Sequence, residues 1–150
     1  MVQTTKTDTF SSSSTSFVDI TGLTATITPS STSSRILVMA SVVVGHTQNY
    51  FIMLRLAKGG SAILQGDAAG NRIRVGGMVY SYPALSSANE QTTWSSNVID
   101  SPASTSTLTY SVQVMELNGS THYINRLYRD DNASYEPRSA SSLILMEIAG

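Results

Sequence analysis

Nine consecutive residues in the first third of the chain, Ile36-Leu37-Val38-Met39-Ala40-Ser41-Val42-Val43-Val44, are apolar with one exception. A continuous run of this length that is rich in β-branched residues predicts a strand with apolar side chains on both faces. The run from Tyr50 to Ala57 repeats the pattern and is broken only by Arg55. These two runs predict the centre of a β-sheet protein.

Strict alternation of apolar and polar residues follows over residues 108–114 and is typical of a strand with one buried face. Turn signals such as Pro29, Gly59-Gly60 and Asn118-Gly119 separate further strand patterns, and no stretch has a helical period. Gly76-Gly77 lies inside a strand pattern over residues 72–82 and predicts a bulge or a close backbone approach. A further strand is predicted over residues 121–128. The sequence therefore predicts an all-β single domain, a jelly-roll-like antiparallel β-sandwich of about nine strands.

The first sixteen residues differ from the rest because they are polar and end in the low-complexity segment 11–16. Such a segment has little to bury, so residues 1–16 are predicted to form an extended N-terminal arm. The sandwich domain is expected to span residues 17–150, and removal of the arm is expected to leave it folded. A polar arm of this kind is a candidate for strand addition to a neighbouring subunit or to another protein.

Charge and cysteine content exclude several partners and cofactors. The chain has no Cys, a net charge of −1 and only 13% charged residues, about half of the usual ~25%. Its nine Lys and Arg residues are scattered, so neither nucleic acid nor a membrane surface is an expected partner. The N-terminus has no signal-peptide pattern, so we expect synthesis in a cytoplasm.

Residues able to support catalysis or metal binding are few. His46 and His122 are isolated, and no nucleophile-elbow motif is present. The carboxylates available as a catalytic pair are far apart in sequence: Asp67, Glu90, Asp100 and Glu116. Asp130 and Asp131 have the oxygens for a cation but lack the glycine and spacing of an EF-hand, so a solvated turn is the alternative. We expect no enzymatic activity, no catalytic residues, no metal and no cofactor.

Aromatic residues permit two interpretations. Each combines an apolar ring with a polar tip, which suits stacking on a sugar, but tyrosine and tryptophan also pack well in strands. Both interpretations stay open for Tyr80, Tyr82, Trp94, Tyr123, Tyr128 and Tyr135.

The second apolar face of the two long runs needs a cover, because an antiparallel sandwich normally has a polar outer side. No helical segment is available in this sequence to provide that cover, so another copy of the chain is the predicted one. The predicted oligomer interface consists of Leu37, Met39, Val43, Phe51 and Met53.

Seven pieces of the sequence, in this order, resemble a group of tailed-phage virion proteins found in cyanophages and other aquatic phages. They are Phe17–Leu23, Thr28–Val38, Gln65–Asp67, Asp100–Pro102, Tyr110–Gln113, Tyr123–Arg126 and Ser142–Ile148. The related modules are β-sandwiches that serve as trimeric capsid decoration (cement) proteins or as distal parts of tail fibres and spikes.

The resemblance implies a structural role without a catalytic motif. Because the chain has no shaft or tail-attachment segment, we expect a homotrimeric decoration protein on the outer capsid surface of the virion. Its expected partners are further copies of itself and the major capsid protein, with host-surface glycans as an additional candidate. The alternative is the distal receptor- or glycan-binding module of a tail fibre or tailspike.

Overall fold

The computed structural model describes residues 1–46, 51–80 and 90–150, and all regular secondary structure within these ranges is β-strand. The strands are β1 (Val2–Lys6), β2 (Phe10–Ser12), β3 (Val18–Ile27), β4 (Arg35–His46), β5 (Phe51–Lys58), β6 (Ser61–Ala62), β7 (Gly77–Tyr80), β8 (Glu90–Asp100), β9 (Leu108–Glu116), β10 (His122–Ile124) and β11 (Ser141–Ile148).

The first sheet is built around β4, the strand formed by the long apolar run. One edge of β4 pairs with β8 along its length, from Ile36 opposite Asp100 to His46 opposite Glu90. The other edge is shared, because β11 pairs with residues 35–41 and β10 pairs with Val44 and Gly45. Outside these, β1 pairs with β11 and β2 pairs with β10, which completes six antiparallel strands.

The second sheet has the order β3-β9-β5-β6, with β7 also paired to β5. Two segments that the sequence separates at Gly22 form the single strand β3, with a register shift between Asp19 and Thr24. Gly22 has a φ of 81°, a left-handed conformation that glycine adopts without a side-chain clash. The irregularity allows Ile20 and Leu23 both to be fully buried although they are three residues apart.

The two sheets pack face to face around one hydrophobic core. The first sheet contributes alternate residues of β4, and the second contributes alternate residues of β5 and β9, as period-two patterns require. The fully buried members from these strands are Ile36, Val38, Val42, Val44, Ile52, Leu54, Leu56, Tyr110, Val112 and Val114. The predicted single-domain antiparallel β-sandwich is confirmed, with eleven strands in the described ranges against about nine expected.

The N-terminal segment differs from the sequence expectation. Residues 1–16 are extended, but β1 and β2 lie at the edge of the chain's own first sheet and pair with β11 and β10. Lys6 is buried, and its ammonium group contacts Asp8 at 2.9 Å. The composition does not predict this role because backbone hydrogen bonds, which are independent of side-chain hydrophobicity, attach the segment to the sheet. Val2 and Phe10 add apolar contact with the core.

Two strands are shorter than the sequence patterns predict. The expected strand over 72–82 begins only at Gly77 and is described as far as Tyr80; its last two residues lie outside the described ranges. The expected strand over 121–128 ends at Ile124, where the chain leaves the sheet.

Gly77 brings the edges of the two sheets together. A Cβ atom at this position would overlap the indole Nε1 of Trp94, which is on β8 of the first sheet. The predicted close backbone approach at Gly76-Gly77 is therefore confirmed.

Residues 125–140 form the loop between β10 and β11, and Asn125 connects this loop to three separate parts of the fold. Its side-chain amide donates to the carbonyl oxygens of Lys6 (2.8 Å) and Asp8 (3.0 Å) and accepts from the Ser141 hydroxyl at 2.6 Å. The same hydroxyl accepts from the Val43 amide at 3.0 Å. Asn125 is fully buried with a φ of 64°, in the left-handed region where asparagine is enriched.

We predict that Asn125→Ala lowers the free energy of unfolding by about 3 kcal/mol. The buried Lys6 carbonyl and the part-buried Asp8 carbonyl each lose a donor, and the buried Ser141 hydroxyl loses its acceptor but keeps the Val43 amide. Asn132→Ala is the matched control, since Asn132 also has a positive φ but is exposed. The control is expected to cost only about 1 kcal/mol from the backbone conformation. Urea denaturation of the three proteins checks this, and equal losses in both variants would contradict the role of the Asn125 side chain.

Candidate interaction surfaces

Five apolar side chains lie together on the outer face of the first sheet and form what we call the apolar strip. Cross-strand pairing places Leu37 between Met146 of β11 and Ile99 of β8. In the next outward-facing row, Met39 is paired with Ile144. Ile99 is 50% exposed and Met146 is 37% exposed, whereas the other three are half-buried.

Polar residues border the apolar strip. Gln3 pairs with Ile144, and Asn97 pairs with Met39. The next outward-facing row along the sheet carries only hydroxyl groups, from Thr5, Ser41, Ser95 and Ser142. An apolar centre with a polar rim is the usual anatomy of a protein interface.

The predicted interface residues do not form one surface. Leu37 and Met39 belong to the apolar strip, and Val43 lies on the same face beyond the hydroxyl row. Phe51 and Met53 lie on the outer face of the second sheet, on the opposite side of the sandwich. The reason is that β4 and β5 follow each other in sequence but belong to different sheets, so their outward residues point in opposite directions.

The outer face of the second sheet is partly closed by its own side chains. The ring of Phe51 stacks on that of Tyr80 with a centroid distance of 4.8 Å. Met53 lies between Met78 and Met115 in cross-strand pairs and is largely buried. No pattern in the sequence predicts that Ile99, Ile144 and Met146 lie next to Leu37, because their proximity depends on strand order.

A polar cluster occupies the interior of the sandwich near the described ends of β4 and β10. The register of these strands continues, one step beyond the pair Tyr123–Gly45, to His122 and His46. Both histidines are buried, and His46 Nε2 lies 3.2 Å from the Thr92 hydroxyl. Glu90 approaches His46 Nδ1 at 3.8 Å.

His122 has no hydrogen-bond partner for either ring nitrogen among the described residues. Burial lowers its pKa from 6.5 to about 4, although the charge of Glu116 partly opposes the shift. Glu116 is itself fully buried and accepts from the backbone amides of Asn118 (2.8 Å) and Ser120 (2.6 Å). The imidazole of His122 is therefore neutral at physiological pH.

We predict that the fold loses stability as the pH falls from about 6.5 to about 4, because the unfolded state binds a proton at His122 that the folded state excludes. The loss assigned to His122 is about 3 kcal/mol. In His122→Leu this contribution is expected to vanish. Denaturant titrations at pH 7, 5.5 and 4.5 check this, and identical pH dependence in both proteins would contradict it. Subtracting one curve from the other removes titrations that the two proteins share.

The carboxylates considered for catalysis are distributed over the molecule. Glu90 and Asp100 lie at opposite ends of β8, about 33 Å apart at 3.3 Å per residue. Asp100 bridges the sheets, because it pairs with Lys58 at 2.7 Å and accepts from the Tyr110 hydroxyl at 2.8 Å. Burial and the adjacent carboxylate raise the pKa of Tyr110, so its phenol remains a donor.

Asp67 is exposed in the loop between β6 and β7, and Glu116 faces His122 at the other end of β9 from Tyr110. The described ranges contain no group of three or more His, Cys, Asp or Glu residues that could hold a metal ion.

The aromatic residues considered for sugar binding lie in different environments. Trp94 lies in the core, where it packs rather than being available at the surface. Tyr82 lies outside the described residues. Tyr123 and Tyr128 contact each other at the outer face of the first sheet, with ring centroids 5.8 Å apart. Tyr135 is 61% exposed and, like Tyr128, lies in the loop of residues 125–140.

Asp130 and Asp131 are paired with arginines in this structure. Asp130 accepts from Arg138 at 2.9 Å, and Asp131 accepts from Arg129.

A scan of the chain against protein-family models finds no match, and a search of the curated proteins finds none either. In the described part of the chain, no helix has the length and apolar character needed to span a membrane.

Proposed function

We propose that this chain is a structural protein of a tailed-phage virion, a capsid decoration protein that binds the outer capsid surface as a homotrimer and stabilises it. The observation that carries the proposal is the apolar strip, a compact apolar surface with a polar rim on an otherwise hydroxyl-rich sheet. The seven sequence pieces that resemble phage virion modules, in the same order, support a tailed-phage virion as the particle.

The position of the apolar strip favours one geometry for the trimer. In a cyclic trimer each subunit contacts two neighbours, so a surface that faces the three-fold axis meets the equivalent surface of both. Three strips around such an axis would bury Leu37, Ile99 and Met146 together. The opposite outer face, with Phe51 and Met53, would then point away from the axis.

A contact between the two opposite faces is a poorer model for a closed trimer. Stacking the strip of one copy on the Phe51–Met53 face of the next places successive sandwiches in a row. Such head-to-tail contacts close into a trimer only when each step rotates the subunit by 120°, and other rotations give a larger ring or an open filament. We therefore assign the oligomer contact to the strip alone.

We predict a particle of three times the 16.0 kDa chain mass in light scattering at micromolar concentration. Met146→Asp is expected to dissociate it, because a carboxylate buried at the interface without a partner costs several kcal/mol. Met78→Asp is the matched control, since Met78 is 48% exposed on the opposite outer face, and should remain trimeric. A monomeric wild type, or dissociation by the control and not by Met146→Asp, would contradict this assignment.

Attachment to the capsid is tested with purified shells and purified tails. We expect the wild-type protein to cosediment with shells, and the monomeric Met146→Asp variant to bind them more weakly because it loses multivalent contact. Binding to tails but not to shells would contradict the decoration role and favour the distal module of a fibre or spike.

A further inference from the structure

The loop of residues 125–140, which we call the Tyr–Arg loop, lies on the outer face of the first sheet and is held there by contacts at both of its ends. Its two ends are joined, because the Ser139 amide donates to the Asn125 carbonyl oxygen at 3.0 Å. Its first turn lies against β4, where a Cβ atom at Gly45 would overlap the carbonyl oxygen of Arg126. Loops of this length within a compact domain are usually either functional or disordered, and the contacts at both ends of this loop favour the first of these.

Aromatic rings and a guanidinium group form one surface at the start of the Tyr–Arg loop. The guanidinium carbon of Arg126 lies 3.9 Å from the centroid of the Tyr123 ring, and Tyr128 meets that ring edge-on. Arg126 also donates to the carbonyl oxygens of Leu127 (3.2 Å) and Tyr128 (3.3 Å). These contacts hold the Tyr128 segment while its side chain stays 48% exposed.

The charges of the loop cancel. Three arginines and three carboxylates lie between residues 125 and 140, and they are paired with one another. Asp130 lies 3.6 Å from Arg126 and 2.8 Å from Arg138, and Glu136 lies 3.5 Å from Arg129. The surface therefore has fixed hydrogen-bonding groups but no net field that would attract a polyanion or a polycation.

The exposed apolar groups of the loop are aromatic rather than aliphatic. Tyr128 and Tyr135 are exposed, whereas Leu127, the one large aliphatic residue in the loop, is buried. Tyrosine offers a rigid ring and a hydroxyl at a low cost in conformational entropy. A pyranose ring has the complementary chemistry, with a C–H face that stacks on an aromatic ring and a rim of hydroxyls that pairs with charged or amide groups.

We propose that the Tyr–Arg loop is a binding site for neutral carbohydrate, with Tyr128 and Tyr135 as stacking residues and the paired charges around them as hydrogen-bonding partners. This site does not depend on the oligomeric state or on the place of the chain in a virion. It goes beyond the decoration role, because it gives the particle surface a ligand of its own.

The test uses the purified wild-type protein on an array of neutral and acidic oligosaccharides, followed by calorimetric titration with the best neutral ligand. Tyr128→Ala and Tyr135→Ala are each expected to weaken binding about tenfold, and Tyr128→Phe to retain it within a fewfold because the ring is kept. Tyr80→Ala is the matched control, since Tyr80 is 42% exposed but lies on the opposite outer face, against Phe51.

One further readout makes the result decisive. Thermal melts of all variants separate loss of the ligand site from loss of the fold, and Tyr135→Ala, at the most exposed ring, is the variant least coupled to folding. The proposal is overturned if no neutral oligosaccharide on the array binds, if only acidic ones do, or if Tyr80→Ala weakens binding as much as Tyr128→Ala. A protein partner that binds the loop in the absence of glycan affinity would also overturn it.

Discussion

Backbone pairing along both edges of β4 is the constraint on which the rest of the molecule depends. The strand is twelve residues long and pairs with β8 over eleven of its positions. Its inward residues form the centre of the core, and its outward residues begin the apolar strip. Pairing on both edges gives nearly all backbone groups of β4 a partner, and in the gap between β11 and β10 the Val43 amide donates to the Ser141 hydroxyl instead. A nearly continuous apolar run is stable there because few of its backbone groups need water.

The edge of β4 that β10 and β11 share also explains why a loop lies on the outer face of the first sheet. β11 and β10 divide that edge between them, and residues 125–140 connect the two strands without being part of the sheet. The connection must therefore leave the plane, and it does so at Asn125, a buried residue in a left-handed conformation. Glycine at position 45 provides the room for the first turn of this connection, at Arg126 and Leu127. The Tyr–Arg loop is thus a consequence of how β4 is paired.

The sequence predicts the sandwich but not the grouping of its surface residues. Continuous apolar runs identify β4 and β5, and strict alternation identifies β9 and its core-facing residues, because these patterns depend only on neighbours along the chain. The alternation predicts one buried face for β9, but Ser111 and Gln113 on the other face are buried too, through hydrogen bonds to side chains of β3 and β5. Whether Leu37 and Phe51 share a surface depends on which sheet each strand joins, and the pattern within a strand carries no such information. The same limit applies to β1 and β2, whose pairing uses backbone groups, and to Asn125, which in sequence is one polar residue after a strand.

Position along β4 separates the two candidate surfaces on the first sheet. The apolar strip begins at Leu37 and the Tyr–Arg loop covers Gly45, about 26 Å further along the same outer face at 3.3 Å per residue. Because the loop stands above the sheet, two copies of this face cannot pack flat along their whole length, and close contact is confined to the strip end. A trimer formed through the strips would therefore diverge toward the loops. In such a trimer Tyr128 and Tyr135 would lie at the open end, and the three equivalent proposed sites would gain from multivalent binding to one ligand.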